Sequence, residues 1–384
     1  MARPDERPLR RLPQLEARRP TLERCTFCPK LCRSACPVSN AEPRETLTPW
    51  GKMTTTYLVG TGAVETAPAF AAPAWACTGC FGCRSSCDHQ NDVAGTLFAA
   101  RSELRDLEVA PPEARRVAAR FPEHDAHARN ETRTLAGSEP GDVVNPQAKT
   151  ALLVGCAYAT RAPDVARDAI RAAAALVSGP VALVDACCGA PLLHAGDGRG
   201  FRARGEALAR LLEGKERVLV VDAGCASTLR VHLPAAGVPL PVPVELFVER
   251  AARELGRLER AAASDLLRSG PVRWHDPCQL GRGLGVYEAP RIVLGRLLGR
   301  APDEFPRARE GARCSGAGGL LPVTMPETAR EIARTRVEEH EGEGGGTIVT
   351  ACASSLRTFR KRGARALDLA SLVARGLGVG SGGP

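Results

Sequence analysis

The chain has 384 residues, 44 % hydrophobic and 25 % charged, the balance of a soluble globular protein with room for two or three cores. No run approaches the ~20 consecutive apolar residues of a membrane-spanning helix, and 4 % aromatic content leaves little for base stacking, which argues against a nucleic-acid binder. The net charge of +9, carried almost wholly by Arg, suits a solvated basic face, an acidic protein partner or an anionic membrane surface.

Residues 1–20, MARPDERPLRRLPQLEARRP, are rich in Pro and Arg and read as a disordered basic tail. They lack the apolar core of a secretory signal, and Asp5, Glu6 and Glu16 do not suit a transit peptide. A cytoplasmic chain is therefore expected, where cysteine motifs bind metals before they pair as disulfides.

Residues 21–105 carry two cysteine blocks, Cys25-x2-Cys28-x3-Cys32-x3-Cys36-Pro37 and Cys77-x2-Cys80-x2-Cys83-x3-Cys87. A cubane iron–sulfur cluster needs one thiolate per iron, and a short loop can present three around one face. In two-cluster proteins the fourth cysteine of each block serves the other cluster. The predicted sets for two [4Fe-4S] clusters are thus Cys25, Cys28 and Cys32 with Cys87, and Cys77, Cys80 and Cys83 with Cys36. The first block has one extra residue before Cys32, and Asp88 replaces the Pro that usually ends the second. Zinc on four thiolates is the alternative. About forty residues separate the blocks, too many for a compact hairpin. TLTPWGKMTTTYLVGTGAVE and AGTLFAARSELRDLEVA look helical, which favours an all-helical ferredoxin-like domain. Residues 106–149, polar and Pro-containing, read as a linker.

Beyond it the pattern alternates. ALLVGC, VALVDACC and ERVLVVDAGC are strand-like runs separated by PDVARDAIRAAAALV and GFRARGEALARLLEG, and βαβ alternation implies a parallel sheet. The scheme recurs from VRWHDPC through RIVLGRLLGR, TAREIARTRVEEH and TIVTAC, so 150–262 and 270–384 are predicted to be repeated α/β domains. Their cysteines repeat as well: Cys156, Cys187, Cys188 and Cys225, then Cys278, Cys314 and Cys352. Cys187 to Cys225 spans 38 positions, as does Cys314 to Cys352. Each cysteine is expected at a strand's C-terminal end, the edge where open α/β sheets collect ligands. Four thiolates in the first copy suffice for a third iron–sulfur cluster or a zinc ion. The second copy offers three, and either a cluster with an open iron or loss of the metal would account for it.

At DACCGAPLLHAGD, HDPCQLGRGLGVYEAPR and RCSGAGG, together with Cys77 to Cys87, the chain resembles proteins with paired CCG, or cysteine-rich, domains. That group includes heterodisulfide reductase subunits, the iron–sulfur subunit of glycolate oxidase and the C subunit of anaerobic glycerol-3-phosphate dehydrogenase. The resemblance implies an α+β multidomain chain, with a helical two-cluster domain followed by two α/β CCG domains. It also implies a role passing electrons between a flavoprotein dehydrogenase and a quinone or another acceptor, at a membrane face or in solution. Full CCG motifs of heterodisulfide reductases have five cysteines, and here Thr228, Ser315 and Ser355 stand in cysteine positions. Two other readings stay open: a disulfide-reducing catalytic subunit, and a zinc-binding scaffold or redox sensor. With no flavin or NAD fingerprint, the chain is not expected to oxidise an organic substrate alone, and no catalytic residue is assigned. His194 and His275, near cysteines in sequence, either tune a cluster by hydrogen bonding or serve as ordinary structural histidines.

Overall fold

A computed structural model describes residues 8–28 and 32–380. The chain divides into two compact units: one takes in Met1–Phe121, Pro191–Phe201 and Arg313–Thr335, the other Pro122–Ala190, Arg202–Ala312 and Arg336–Pro384.

The first unit is helical. Its central helix, Pro49–Thr61, starts where Thr48 accepts a hydrogen bond from Gly51 N at 3.0 Å, and stops at Gly62, whose φ of 78° is a left-handed cap. A second long helix, Val93–Asp106, is capped by Asp92 on Gly95 N. Both fall in the segments expected to be helical. Around them lie Leu22, Met53, Tyr57, Trp75, Leu97 and Leu104, which form the core.

The expected disordered tail is corrected from residue 8 onward; residues 1–7 lie outside the described residues. Pro13–Arg18 forms a 3-10 helix that runs into the helix Arg19–Thr26, and Leu9, Leu12 and Leu15 are buried in the core. Arg11 N donates to Gly60 O at 2.9 Å, pinning this segment to the central helix. The Pro and Arg between those leucines hide a buried stripe.

The stretch read as a linker is also ordered. It forms helices Pro112–Ala119, which buries Ala114 and Ala118, and Phe121–Gly137. Within the spans expected for the two α/β domains, 150–262 and 270–384, Pro191–Phe201 and Arg313–Thr335 group with the helical unit.

The second unit contains two all-parallel sheets. Strands β1 (Thr150–Leu153), β2 (Ala182–Leu183), β3 (Arg217–Val220) and β4 (Val244–Leu246) lie in the order β2-β1-β3-β4, with Leu152 opposite Leu219. Strands β5 (Val272–Trp274), β6 (Thr347–Thr350) and β7 (Ala366–Asp368) follow in the order β5-β6-β7, and an isolated bridge at Asp303 lies beside β5. The helix Pro163–Val177 buries Ala166, Ala169, Ile170, Ala173 and Leu176, the covered face that a parallel sheet requires.

The two sheets meet through the ends of β3 and β6. Asp222, buried, accepts from Gly224 and Cys225 N through one oxygen and from Ala353 N through the other. A second tie is the buried hydrogen bond from Tyr158 OH to Asp368. Burial pushes the Asp368 carboxyl up to about 7 from 3.8, against the hydrogen bond from Tyr158. A folded-state value above the unfolded one means that stability from this group is full below about pH 4 and is lost as pH rises through 7. Asp368→Asn should remove that component, so the gap between wild-type and variant urea midpoints should change between pH 5 and pH 8. Parallel midpoints across that range would contradict it.

Candidate metal centres

All fifteen cysteines are unbridged. In the first unit the two blocks pack against each other, close enough that a Cβ on Gly82 would sit 3.0 Å from Ala35 O. In the second block Phe81 has a φ of 57°, rare for an aromatic residue, and this turn lets Cys80 and Cys83 face the same space.

Two adjacent cavities result. One is lined by Cys25, Cys28, Cys32, Cys83 and Cys87, with Trp50, His89 and Asn91. The other is lined by Cys36, Cys77, Cys80 and Cys83, with Lys52 and Phe81. Cys83 and Val93 line both. The helix Pro49–Thr61 supplies Lys52, and the N-terminus of Val93–Asp106 supplies Val93.

The electrostatics suit ligands better than thiols. Burial pushes the Cys25 thiol up to about 12, although the Asn91 amide donates to its Sγ at 2.8 Å. Burial likewise raises Cys32 to about 11 and holds Cys77 and Cys83 above the ordinary thiol value. Yet the fully buried Lys52 places its Nζ 3.4 Å from Cys36 Sγ, and the sulfurs of Cys36, Cys77 and Cys83 hold it protonated against burial. A buried ammonium whose surroundings are sulfur asks for anionic sulfur, which metal binding provides by displacing protons. The donor chemistry therefore fits an anionic thiolate-bound cluster.

Arg101, fully buried on Val93–Asp106, holds the backbone of Cys77, one of the residues lining this second cavity. Its guanidinium donates to Ala74 O, Cys77 O and His194 O at 2.9 Å and to Gly319 O at 3.0 Å. His194 and Gly319 belong to the segments that follow Cys187-Cys188 and Cys314 in the chain. Gly318 and Gly319 press on the Cys77–Thr78 backbone so closely that a Cβ on either would lie 2.3 Å or 2.0 Å from a carbonyl oxygen. His194 stacks at a tilt on Phe98, with ring centroids 5.0 Å apart.

The α/β cysteines are placed differently. Cys156 follows β1, Cys187 and Cys188 follow β2, and Cys225 follows β3, the strand ends that the alternation predicts. Cys187 Sγ donates to Cys156 Sγ at 3.6 Å. The neighbouring thiols of Cys187 and Cys225 pull Cys188 well below the ordinary thiol value, and Cys188 in turn pushes Cys225 up. Thr228, in the missing cysteine position, donates its hydroxyl to Gly224 O at 2.8 Å.

A residue that the sequence reading passed over, His124, joins this group. His124, Cys156 and Cys187 have ligand atoms all within 4.8 Å of one another, and no other set among the described residues is so close. No spacing rule links a histidine in a supposed linker to a cysteine after β1; a signal was available only in the helical recurrence of His124, Ala128 and Leu135.

In the second copy Cys278 and Cys352 follow β5 and β6 in the second unit, while Cys314 falls in the first unit and follows no strand. Burial raises Cys352 to about 12. His275 is fully buried against Phe359, at 4.8 Å between ring centroids, with its imidazole pulled well below its ordinary value by burial, and this is a core position.

Comparison with known proteins fits this layout. A family described as a 4Fe-4S dicluster domain matches residues 21–91, and one described as a cysteine-rich, or CCG, domain matches twice, at 150–230 and 272–360. By sequence similarity, then, the chain carries one 4Fe-4S dicluster domain and two cysteine-rich domains. The D subunit of the dihydromethanophenazine:CoB–CoM heterodisulfide reductase of Methanosarcina barkeri is 26 % identical over 333 residues, 79 % of this CCG-domain chain and 78 % of that one. Its counterpart from Methanosarcina mazei is 31 % identical over 43 % of this chain and 42 % of its own length. The B subunit of the fumarate reductase (CoM/CoB) of Methanothermobacter marburgensis is 29 % identical over 54 % of this chain and 41 % of its own. The last two matches span less than half of those relatives. Among the described residues no helix is long and apolar enough to cross a membrane.

Proposed function

We propose that this chain is the electron-relay subunit of a reductase-type complex and binds two [4Fe-4S] clusters in its helical unit. Cys25, Cys28, Cys32 and Cys87 would hold one, and Cys77, Cys80, Cys83 and Cys36 the other. Each cluster, when bound, would take up and release one electron at a time. The observation that carries the reading is the pair of adjacent cysteine-lined cavities, each with the last cysteine of the opposite block in its wall and Cys83 in both.

The chain's own residues supply the rest. Lys52 brings positive charge to the second site, Asn91 donates to a sulfur of the first, and both favour the reduced, more anionic state. Arg101 and the glycines of the Cys314 loop keep water from the Cys77 backbone. The natural electron donor is a flavoprotein dehydrogenase subunit and the acceptor a quinone or another carrier, the chain being peripheral to the membrane or free of it.

Similarity to the heterodisulfide reductase chains favours a second reading, in which the first CCG domain reduces a disulfide. Thr228 in place of the fifth cysteine weighs against it. Anaerobic protein reduced with dithionite and freed of excess reductant separates the two. Reoxidation by a soluble quinone, and not by a heterodisulfide, is expected; reoxidation by the heterodisulfide alone would overturn the relay.

A further inference from the structure

We propose that the helix Ala353–Lys361 and the turn after it form a docking face for anionic phospholipid headgroups. The inference rests on where the chain's charge is placed, and not on the relay.

Positive charge is concentrated there. From Gly344 to Pro384 the sequence carries six cations, Arg357, Arg360, Lys361, Arg362, Arg365 and Arg375, and a single acid, Asp368. That surplus of five is more than half of the net +9. Asp368 is buried and Arg375 is paired with Asp265, so the other five cations define the patch, and all five are exposed.

Local structure sets them together. Leu356 and Phe359 are buried, and Ala353 N donates to Asp222 at 2.9 Å, which fixes the helix Ala353–Lys361 in place. Arg357 and Lys361, one turn apart, therefore point outward side by side. Arg360 Nε donates to Ala366 O at 3.0 Å, holding the turn that carries Arg362 and Arg365 against the helix. The helix Cys156–Arg161 packs beside this one and brings a further exposed cation, Arg161. Burial and the charge of Arg161 hold the Arg357 guanidinium below its ordinary value.

An ordinary solvated face is built differently. On the helix Pro326–Gly342 the exposed arginines find a carboxylate three residues away, Arg330 with Glu327 and Arg334 with Glu331. Among the described residues no carboxylate pairs with Arg161, Arg357, Lys361 or Arg365. Unneutralised like charges gathered on one surface attract a polyanion. A protein partner would want an apolar anchor, and none of the exposed large hydrophobic side chains lies on these segments. Phosphate headgroups ask only for charge and forked donors, and arginine supplies both.

The test sediments the full chain, purified without oxygen, with vesicles of phosphatidylcholine alone or of phosphatidylcholine mixed with phosphatidylglycerol. Binding to the mixed vesicles alone is expected, and rising salt should release it. Arg357→Gln with Lys361→Gln should weaken that binding by about 30-fold, from two basic residues near an anionic surface. Arg330→Gln with Arg334→Gln removes the same charge from another helix and should weaken it by less than about 3-fold. Iron content and urea midpoint should match the wild type in both variants. Equal binding to both kinds of vesicle, or an equal loss in the two double variants, would overturn the proposal. So would no binding to phosphatidylglycerol, and capture of poly-L-glutamate in its place would assign the face to an acidic protein. Vesicle binding through Arg357 and Lys361 in protein that transfers no electrons would sink the relay and leave this face standing.

Discussion

Arg101→Ala is expected to destabilise the helical unit by about 3–5 kcal/mol, the usual cost of leaving buried polar groups without their charged partner. One guanidinium serves four carbonyl oxygens, those of Ala74, Cys77, His194 and Gly319, from a fully buried position. Burial lowers its pKa only to about 10, with Cys77 opposing the shift, so it stays charged. Alanine would leave those four buried oxygens without their shared charged donor. Lysine cannot reproduce the fork, so Arg101→Lys should recover only part of the loss. The urea midpoint and the iron retained after gel filtration report the effect. A wild-type midpoint in Arg101→Ala would show that the hub carries no such weight.

Lys52→Met is expected to lower the reduction potential of the cluster at Cys36, Cys77, Cys80 and Cys83 by on the order of 100 mV. A unit charge at about 4 Å is worth about 4 kcal/mol at an effective dielectric of 20, and about 1.4 kcal/mol corresponds to about 59 mV for one electron. The ammonium lies 3.4 Å from Cys36 Sγ and is fully buried, so solvent screens it little. Met preserves the apolar stem, so the change isolates charge from packing. Redox titration followed by EPR gives both cluster potentials, and the cluster at Cys25, Cys28, Cys32 and Cys87 should move much less. Equal potentials in wild type and variant would mean that the Lys52 charge is neutralised by a group other than the sulfurs.

The cysteine arithmetic was legible because ligand spacing is a local property: three thiolates on one loop must recur at short, fixed intervals. Cys36 lines the cavity of the second block and Cys87 that of the first, the placement expected if the last cysteine of each block serves the other cluster. Strand ends were legible for the same reason, since a short apolar run followed by Cys156, Cys225, Cys278 or Cys352 marks its own position. What escaped depends on distant partners. Leu9, Leu12 and Leu15 look like part of a basic tail until the helix Pro49–Thr61 is there to bury them. The run from Pro112 to Gly137 is too polar to announce helices, and only Asp125 and Arg133, reaching Cys187 and Asp185, show why it is held in place. His124 lies in that run, marked only by its helical recurrence with Ala128 and Leu135. Nor does a sequence say that Gly318 and Gly319 are small because the backbone of Cys77 and Thr78 runs against them.

The proposal that the two cysteine-lined cavities hold two cubanes meets one measurement head on. Protein purified without oxygen would be assayed for iron, acid-labile sulfide and zinc, and its EPR spectrum recorded after reduction. About eight irons per chain and the spectrum of two interacting [4Fe-4S] clusters are predicted. In Cys87→Ser the signal of the cluster at Cys25, Cys28 and Cys32 should be lost or altered while the other persists. Iron near zero after anaerobic reconstitution, with zinc in the helical unit instead, would contradict the account.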